Sequence, residues 1–118
     1  MLTIRDAQMR ALEGELQRRF EVGMENYLRS AYADQLESKT SAEVLDLIRQ
    51  GITRSEHYGI VIENDVSRYI AHMVTYGADF DSTEAWAAAI FQNSSINGTQ
   101  KMDRIDDYDF RSGRGGLR

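Results

Sequence analysis

The sequence predicts an all-α protein, a compact bundle of four to five helices with a long N-terminal helix and a flexible C-terminal tail. Three observations carry that expectation. Apolar residues recur at spacings of three and four over most of the chain, the pattern of helices that bury one face. Proline is absent from all 118 positions, so no helix interior loses a backbone N–H. Short stretches rich in Ser, Thr, Asn, Asp or Gly separate the periodic segments and supply helix starts and stops.

The first helix is expected to open at Thr3, whose hydroxyl can cap free N–H groups while Asp6 faces the positive end of the helix dipole. Met9, Leu12, Leu16, Phe20, Met24, Tyr27, Leu28 and Ala31 then form one apolar stripe, which at the α-helical pitch covers about seven turns. Arg10, Glu13, Gln17, Glu21 and Glu25 fall on other faces. Asp34 to Lys39 reads as a polar connector. Thr40-Ser41-Ala42-Glu43 is a full capping box, and it opens a second helix from Ser41 to His57 with Val44, Leu45, Ile48 and Ile52 inward.

Gly59 supplies a residue able to take positive φ where that helix stops. Ile60-Val61-Ile62 is β-branched but has no strand to pair with elsewhere, and it reads as a buried connector. Asn64 or Asp65 is expected to cap a third helix, with Val66, Tyr69, Ile70, Met73 and Val74 inward and its end near Tyr76, before Gly77. A fourth should begin at Asp81 or Ser82 with Trp86, Ala89 and Ile90 inward. Asn93 to Gly98 is a loop, and Thr99 starts a last short helix through about Asp107, with Met102 and Ile105 packed.

Residues 1–110 therefore read as a single helical domain. Residues 111–118 read as an Arg/Gly tail that buries too little apolar surface to offset its ordering entropy. A chain of 118 residues is one domain's worth, and 42% apolar with 28% charged residues is an ordinary globular balance. There is no cysteine, which excludes disulfides, thiolate nucleophiles and sulfur-ligated metals. No apolar run approaches the roughly 18 residues of a membrane span, and the opening Met1-Leu2-Thr3-Ile4-Arg5-Asp6 lacks the regions of a signal peptide. The expectation is cytoplasmic residence with no membrane contact. A net charge of −5 argues against a nucleic-acid ligand, since phosphate binding needs clustered cations, and fits a protein partner.

The residues offer little reactive chemistry. His57 and His72 match no metal-ligand spacing and read as structural or surface residues. Asp103, Asp106, Asp107 and Asp109 form the densest acidic cluster, and Asp107-x-Asp109 matches the opening of a calcium loop. Arg111 then stands where the fifth-position oxygen ligand belongs, and no Glu stands at the twelfth. The cluster reads as a solvated segment or a contact for a basic surface, with no metal or cofactor expected. No nucleophile elbow, phosphate-cradling glycine loop or dinucleotide fingerprint is present. The expectation is a protein that is not an enzyme, with a carboxylate-dependent hydrolase as the minor alternative.

Asn93-x-Ser95 and Asn97-x-Thr99 fit a glycosylation pattern but read as polar turns. A single Arg114-Gly115-Gly116 on an acidic chain reads as a flexible terminus or docking arm. Tyr58, Tyr69, Tyr76, Phe80 and Trp86 concentrate in the second half, where core and interface are both open to them. From these sets the candidate partner-binding residues are Tyr76, Phe80, Trp86, Asp103, Asp106, Asp107 and Asp109.

Tyr58-Gly59-Ile60, Asp65-Val66, Tyr69-Ile70, Met73, Tyr76-Gly77, Asp79-Phe80-Asp81, Trp86-Ala87, Gly98-Thr99, Lys101-Met102 and Ile105 together form a pattern. It resembles small helical accessory proteins encoded in bacterial type VI secretion effector and spike gene clusters. Ile4-Arg5-Asp6, Gln8-Met9, Leu12 and Phe20 agree, so the likeness spans about residues 3 to 105. The resemblance implies an adaptor or co-chaperone for an effector or its chaperone, or alternatively an immunity protein that neutralises a cognate toxin. It attaches no catalytic signature.

Overall fold

A computed structural model describes residues 2–112, with side chains described from residue 13 onward. Among the described residues the fold is all-helical, with seven helices and no strand. These are α1 (Leu2–Ala31), α2 (Ala33–Leu36), α3 (Ser41–His57), α4 (Glu63–Tyr76), α5 (Phe80–Thr83), α6 (Ala85–Phe91) and α7 (Gly98–Arg111). Among these residues no helix is long and apolar enough to cross a membrane. The chain divides into two compact units, Met1–Ile48 and Arg49–Arg118, with the division inside α3.

In the first unit α1 runs through to Ala31 as its periodicity predicts, while the Thr3 cap and the Met9 and Leu12 part of its stripe lie outside the described side chains. The stripe is only partly buried. Met24 and Leu28 are enclosed, but Leu16 is 54% and Tyr27 51% exposed. The predicted connector at Asp34 to Lys39 contains one further helical turn. Leu36 is buried there, and Arg29 ties the turn down by donating to the carbonyls of Leu36 at 2.7 Å and Lys39 at 2.9 Å. Thr40 and Glu43 form the predicted box: Glu43 N–H donates to the Thr40 hydroxyl at 3.1 Å, and Thr40 N–H to the Glu43 carboxylate at 2.8 Å. Those bonds hold the Glu43 carboxyl below its ordinary value.

In the second unit the turn residues behave as their chemistry requires. Gly59 and Gly77 take φ of 77° and 108°, where a side chain would be strained, and they stop α3 and α4. Gly51 lets α3 and α4 meet closely, because a Cβ there would stand 2.5 Å from Ile70 Cγ1. Gly98 does the same for the start of α7, where a Cβ would lie 2.3 Å from the Gly59 carbonyl oxygen. Lys101, buried beside it, donates from Nζ to the Tyr58 carbonyl at 2.9 Å and so satisfies the end of α3.

Several expectations are corrected. Of Ile60-Val61-Ile62 only Ile60 is buried, while Val61 is 71% and Ile62 57% exposed as the chain turns outward into the start of α4. Neither Asn64 nor Asp65 caps α4. It begins at Glu63 without a side-chain cap, and Asp65 turns inward. The predicted fourth helix is two, since Glu84 takes extended backbone (φ −98°, ψ 111°) between α5 and α6. That break resets the helical phase, so Ala87 and Phe91 are buried in place of Ala89 and Ile90. The last helix starts from an Asn97 cap and runs to Arg111, so Arg111 belongs to its last turn. Ser112 is the C-cap, and the rest of the expected tail, 113–118, lies outside the described residues.

Candidate functional site

Several of the polar residues singled out in the sequence, His72, Tyr76, Asp103, Asp106 and Asp109, meet at one seam between α4 and α7. Asp65 accepts from Thr99 Oγ1 at 2.5 Å and from Arg68 at 2.8 Å. Arg68 also reaches Asp103 at 2.8 Å and Asp106 at 2.8 Å. One turn further, His72 Nε2 lies 2.7 Å from the other oxygen of Asp106, and the Tyr76 hydroxyl donates to Asp109. Residue numbers rise together across these pairs, so the two helices run parallel. The spacing explains it, because 65, 68, 72 and 76 share one helical face, as do 99, 103, 106 and 109. No short connection joins parallel neighbours, and here α5 and α6 return the chain to the start of α7.

The electrostatics of the seam are mutually satisfying. Burial works to raise the Asp106 carboxyl, but hydrogen bonds from His72 and Arg68 outweigh it and hold the group below its ordinary value. Burial likewise opposes the Arg68 charge, and the carboxylates of Asp103, Asp106 and Asp65 overcome that and raise its pKa. Asp65, Asp103 and Asp106 are thus all engaged by Arg68. Asp107, on the outer side, pairs with Arg111 at 3.0 Å in an exposed i,i+4 contact.

A second polar group lies at the end of α3. Arg54 contacts Asp79 at 2.7 Å and Asp81 at 3.5 Å, and the Tyr58 hydroxyl donates to Asp81 at 2.6 Å. Burial, with the bond to Asp81 adding to it, pushes the Tyr58 phenol up to about 12. Tyr69 is wholly buried and its hydroxyl finds no partner among the described residues. Its pKa rises, chiefly through burial and then through the nearby Asp81 charge.

The aromatic residues form one continuous run. Tyr58 stacks on Phe91 with ring centroids 4.9 Å apart, Phe91 meets Tyr69 and Phe80, Phe80 meets Tyr76, and Tyr76 meets Trp86 edge-on at 5.3 Å. Trp86 ends the run stacked on Tyr108 at 4.2 Å, with its indole N–H donating to Glu84 at 3.1 Å. Offset and edge contacts of this kind each add about 0.5–1.5 kcal/mol beyond burial.

The seven candidate contact residues thus separate. Phe80 has no exposed surface and is core, which corrects its candidacy. Tyr76, Asp106 and Asp109 bind across the seam, and so does Asp103, although its side chain is 64% exposed. Of the two readings of the acidic cluster, a solvated segment or a contact for a basic surface, the solvated one does not describe Asp103, Asp106 and Asp109, which have partners on α4. Asp107 faces outward, and Trp86 is half-buried against Tyr108. His57 is exposed, edge-on to Tyr58 at 5.3 Å. Among the described residues no three acidic or histidine side chains converge on a metal position.

The surface that sequence reasoning missed is on α1. Leu16, Phe20, Gly23 and Tyr27 are spaced by four, three and four, and they lie along one face. Leu16 and Tyr27 are more than half exposed, Phe20 is half-buried, and a Cβ at Gly23 would meet nothing within 4 Å. The buried residues Glu21, Met24 and Leu28 lie on the adjacent face. All side chains from 13 to 19 are exposed, with Arg18 and Arg19 paired to Glu15 within the helix. Periodicity marked this stripe as core, and only the exposure of each residue separates the covered face from the open one. The chain matches no family model, no curated protein and no solved structure.

Proposed function

We propose that this chain is a non-enzymatic accessory, an adaptor or co-chaperone for a type VI secretion effector or that effector's own chaperone, and that it binds through the open face of α1. The observation that carries the binding reading is the line Leu16, Phe20, Gly23 and Tyr27, an apolar helical stripe left facing solvent. An isolated helix gains little from propensity alone and draws its stability from packing such a face. A glycine in the middle of the line lets another backbone approach closely. An amphipathic helix of the partner, laid along the stripe, is the simplest complement. The type VI setting rests on the resemblance in sequence.

An immunity role would draw on the acidic cluster, as a mimic of a basic target's ligand. Asp103, Asp106 and Asp109 are already bound to Arg68, His72 and Tyr76, which leaves less free charge for that role and favours the adaptor. A hydrolase would need a carboxylate able to take up a proton near neutrality, whereas Asp106 is held below its ordinary value.

Co-purification of the tagged chain with each product of the genes flanking its own tests the reading. The expected result is capture of one product, lost in a Leu16→Glu, Tyr27→Glu double variant that stays folded and kept in Asp107→Lys. Capture that ignores the double variant would remove α1 as the site. Capture that abolishes a toxin's activity would replace the adaptor with an immunity protein, and turnover of a substrate by the chain alone would replace both.

A further inference from the structure

We infer that Asn97-Gly98 is a site of spontaneous covalent modification, at which Asn97 converts to aspartate or isoaspartate, and that the docked start of α7 holds the reaction back. The chemistry needs only water. The backbone nitrogen of Gly98, on losing its proton to solvent, attacks Cγ of the Asn97 side chain. An N–Cγ bond forms, the Cγ–Nδ2 bond breaks, and ammonia leaves with the proton it needs. Water then opens the five-membered succinimide at either carbonyl, giving aspartate at one opening and isoaspartate at the other.

Both residues are there for structural reasons, and together they make the most reactive dipeptide of this kind. Gly98 is fixed because a Cβ would lie 2.3 Å from the Gly59 oxygen and 2.8 Å from Ile60 Cα, backbone atoms that cannot swing aside. Asn97 is the N-cap of α7. The absence of a side chain at Gly98 is what leaves its nitrogen unscreened for attack. The other three asparagines, Asn26, Asn64 and Asn93, precede Tyr27, Asp65 and Ser94, all residues with side chains.

The folded geometry opposes ring closure. Asn97 Oδ1 accepts from Gln100 N–H at 2.8 Å, and Gln100 Oε1 accepts from Asn97 N–H at 2.9 Å. To reach the Gly98 nitrogen, the Asn97 side chain must break the first of these bonds. Gly98 itself is buried against the Gly59-Ile60 backbone. Conversion therefore follows opening of the start of α7. It is also one-way, because the ammonia is lost to solvent and the carboxylate does not return to the amide. The isoaspartate product in addition inserts a methylene into the backbone at the cap, displacing Gly98 from its close contact. A converted Asn97 marks a copy in which this end of α7 has opened.

The test compares the intact chain in buffer and in urea at mildly alkaline pH. Peptide mass mapping follows the replacement of the amide by acid at each asparagine, and enzymatic methylation reports isoaspartate. In urea, Asn97 is expected to convert faster than Asn26, Asn64 and Asn93. In buffer it should convert about tenfold or more slowly, the factor being set by the free energy of local opening. Gln100→Ala, which removes one bond of the box, should fall between the two rates in buffer. Equal rates for Asn97 in buffer and urea would overturn the protective role of the cap, and an Asn97 no faster than Asn93 in urea would overturn the site itself. Neither comparison depends on a variant that folds.

Discussion

Helix α1 and the α4–α7 pair are alike in sequence and unlike in their surroundings. Each carries apolar residues at helical spacing, flanked by charges of both signs. In α4 and α7 the apolar side, Val66, Tyr69, Ile70 and Met73 with Met102 and Ile105, is enclosed, and the charges beside it are matched across the seam. In α1 the line from Leu16 to Tyr27 stays open, and the ion pairs of its exposed stretch form within the helix, Glu15 with Arg18 and Arg19. The difference teaches that periodicity predicts a helix and the side it wants covered, but not whether this chain supplies the cover.

The sharpest way to break the covered half of the comparison is Arg68→Leu. It leaves Asp65, with 5% of its side chain exposed, without its cation, and loss of one partner from a buried pair costs about 3–5 kcal/mol. Urea unfolding should show that loss, and a change under 1 kcal/mol (on the order of a surface substitution) would mean the seam is ornamental. Gly98→Ala comes next. Its Cβ meets backbone that must shift, so a loss of about 1–3 kcal/mol is expected by thermal unfolding.

Acid titration sharpens the same half. The Asp106 carboxyl lies below its ordinary value of 3.8 in the folded chain, so its contribution is complete above that value and disappears as pH falls through the lower folded one. Stability followed by circular dichroism should decline below about pH 4, and Asp106→Asn should flatten part of that decline. An identical acid slope in the variant would show that Asp106 is not the linked group. The smallest effect is expected in the open half. Leu16→Glu should change the unfolding free energy by no more than about 0.5 kcal/mol, as for other exposed positions, and a loss of several times that would mean Leu16 is covered after all.

Local signals in the sequence were reliable where one residue's chemistry decided the outcome. The Thr40–Glu43 box, the stops at Gly59 and Gly77, and the inward faces of α3 and α4 at Val44, Ile48, Tyr69 and Ile70 follow from caps, φ preference and spacing. Where tertiary contacts decide, the same signals mislead. Asp65 has the right type and place for a cap, but Arg68 and Thr99 offer it stronger partners. Asp103 and Asp106 read as a solvated run until α7 is laid parallel to α4, which no local pattern specifies. The break at Glu84 carries no glycine or proline to announce it, so periodicity alone does not give the phase of α6 or the burial of Phe91. Phe80 could not be told from an interface aromatic, because core and interface select the same residue types.

Hydrogen exchange of the isolated chain, resolved by segment, bears most directly on the contrast between the two halves. The amides of α4 and of α7 beyond its first turn should exchange far more slowly than those of residues 13 to 19, which should exchange orders of magnitude faster, as expected for backbone bonds without tertiary cover. Equally slow exchange in both would contradict the account, since the face of α1 from which a partner is proposed to bind would then already be covered.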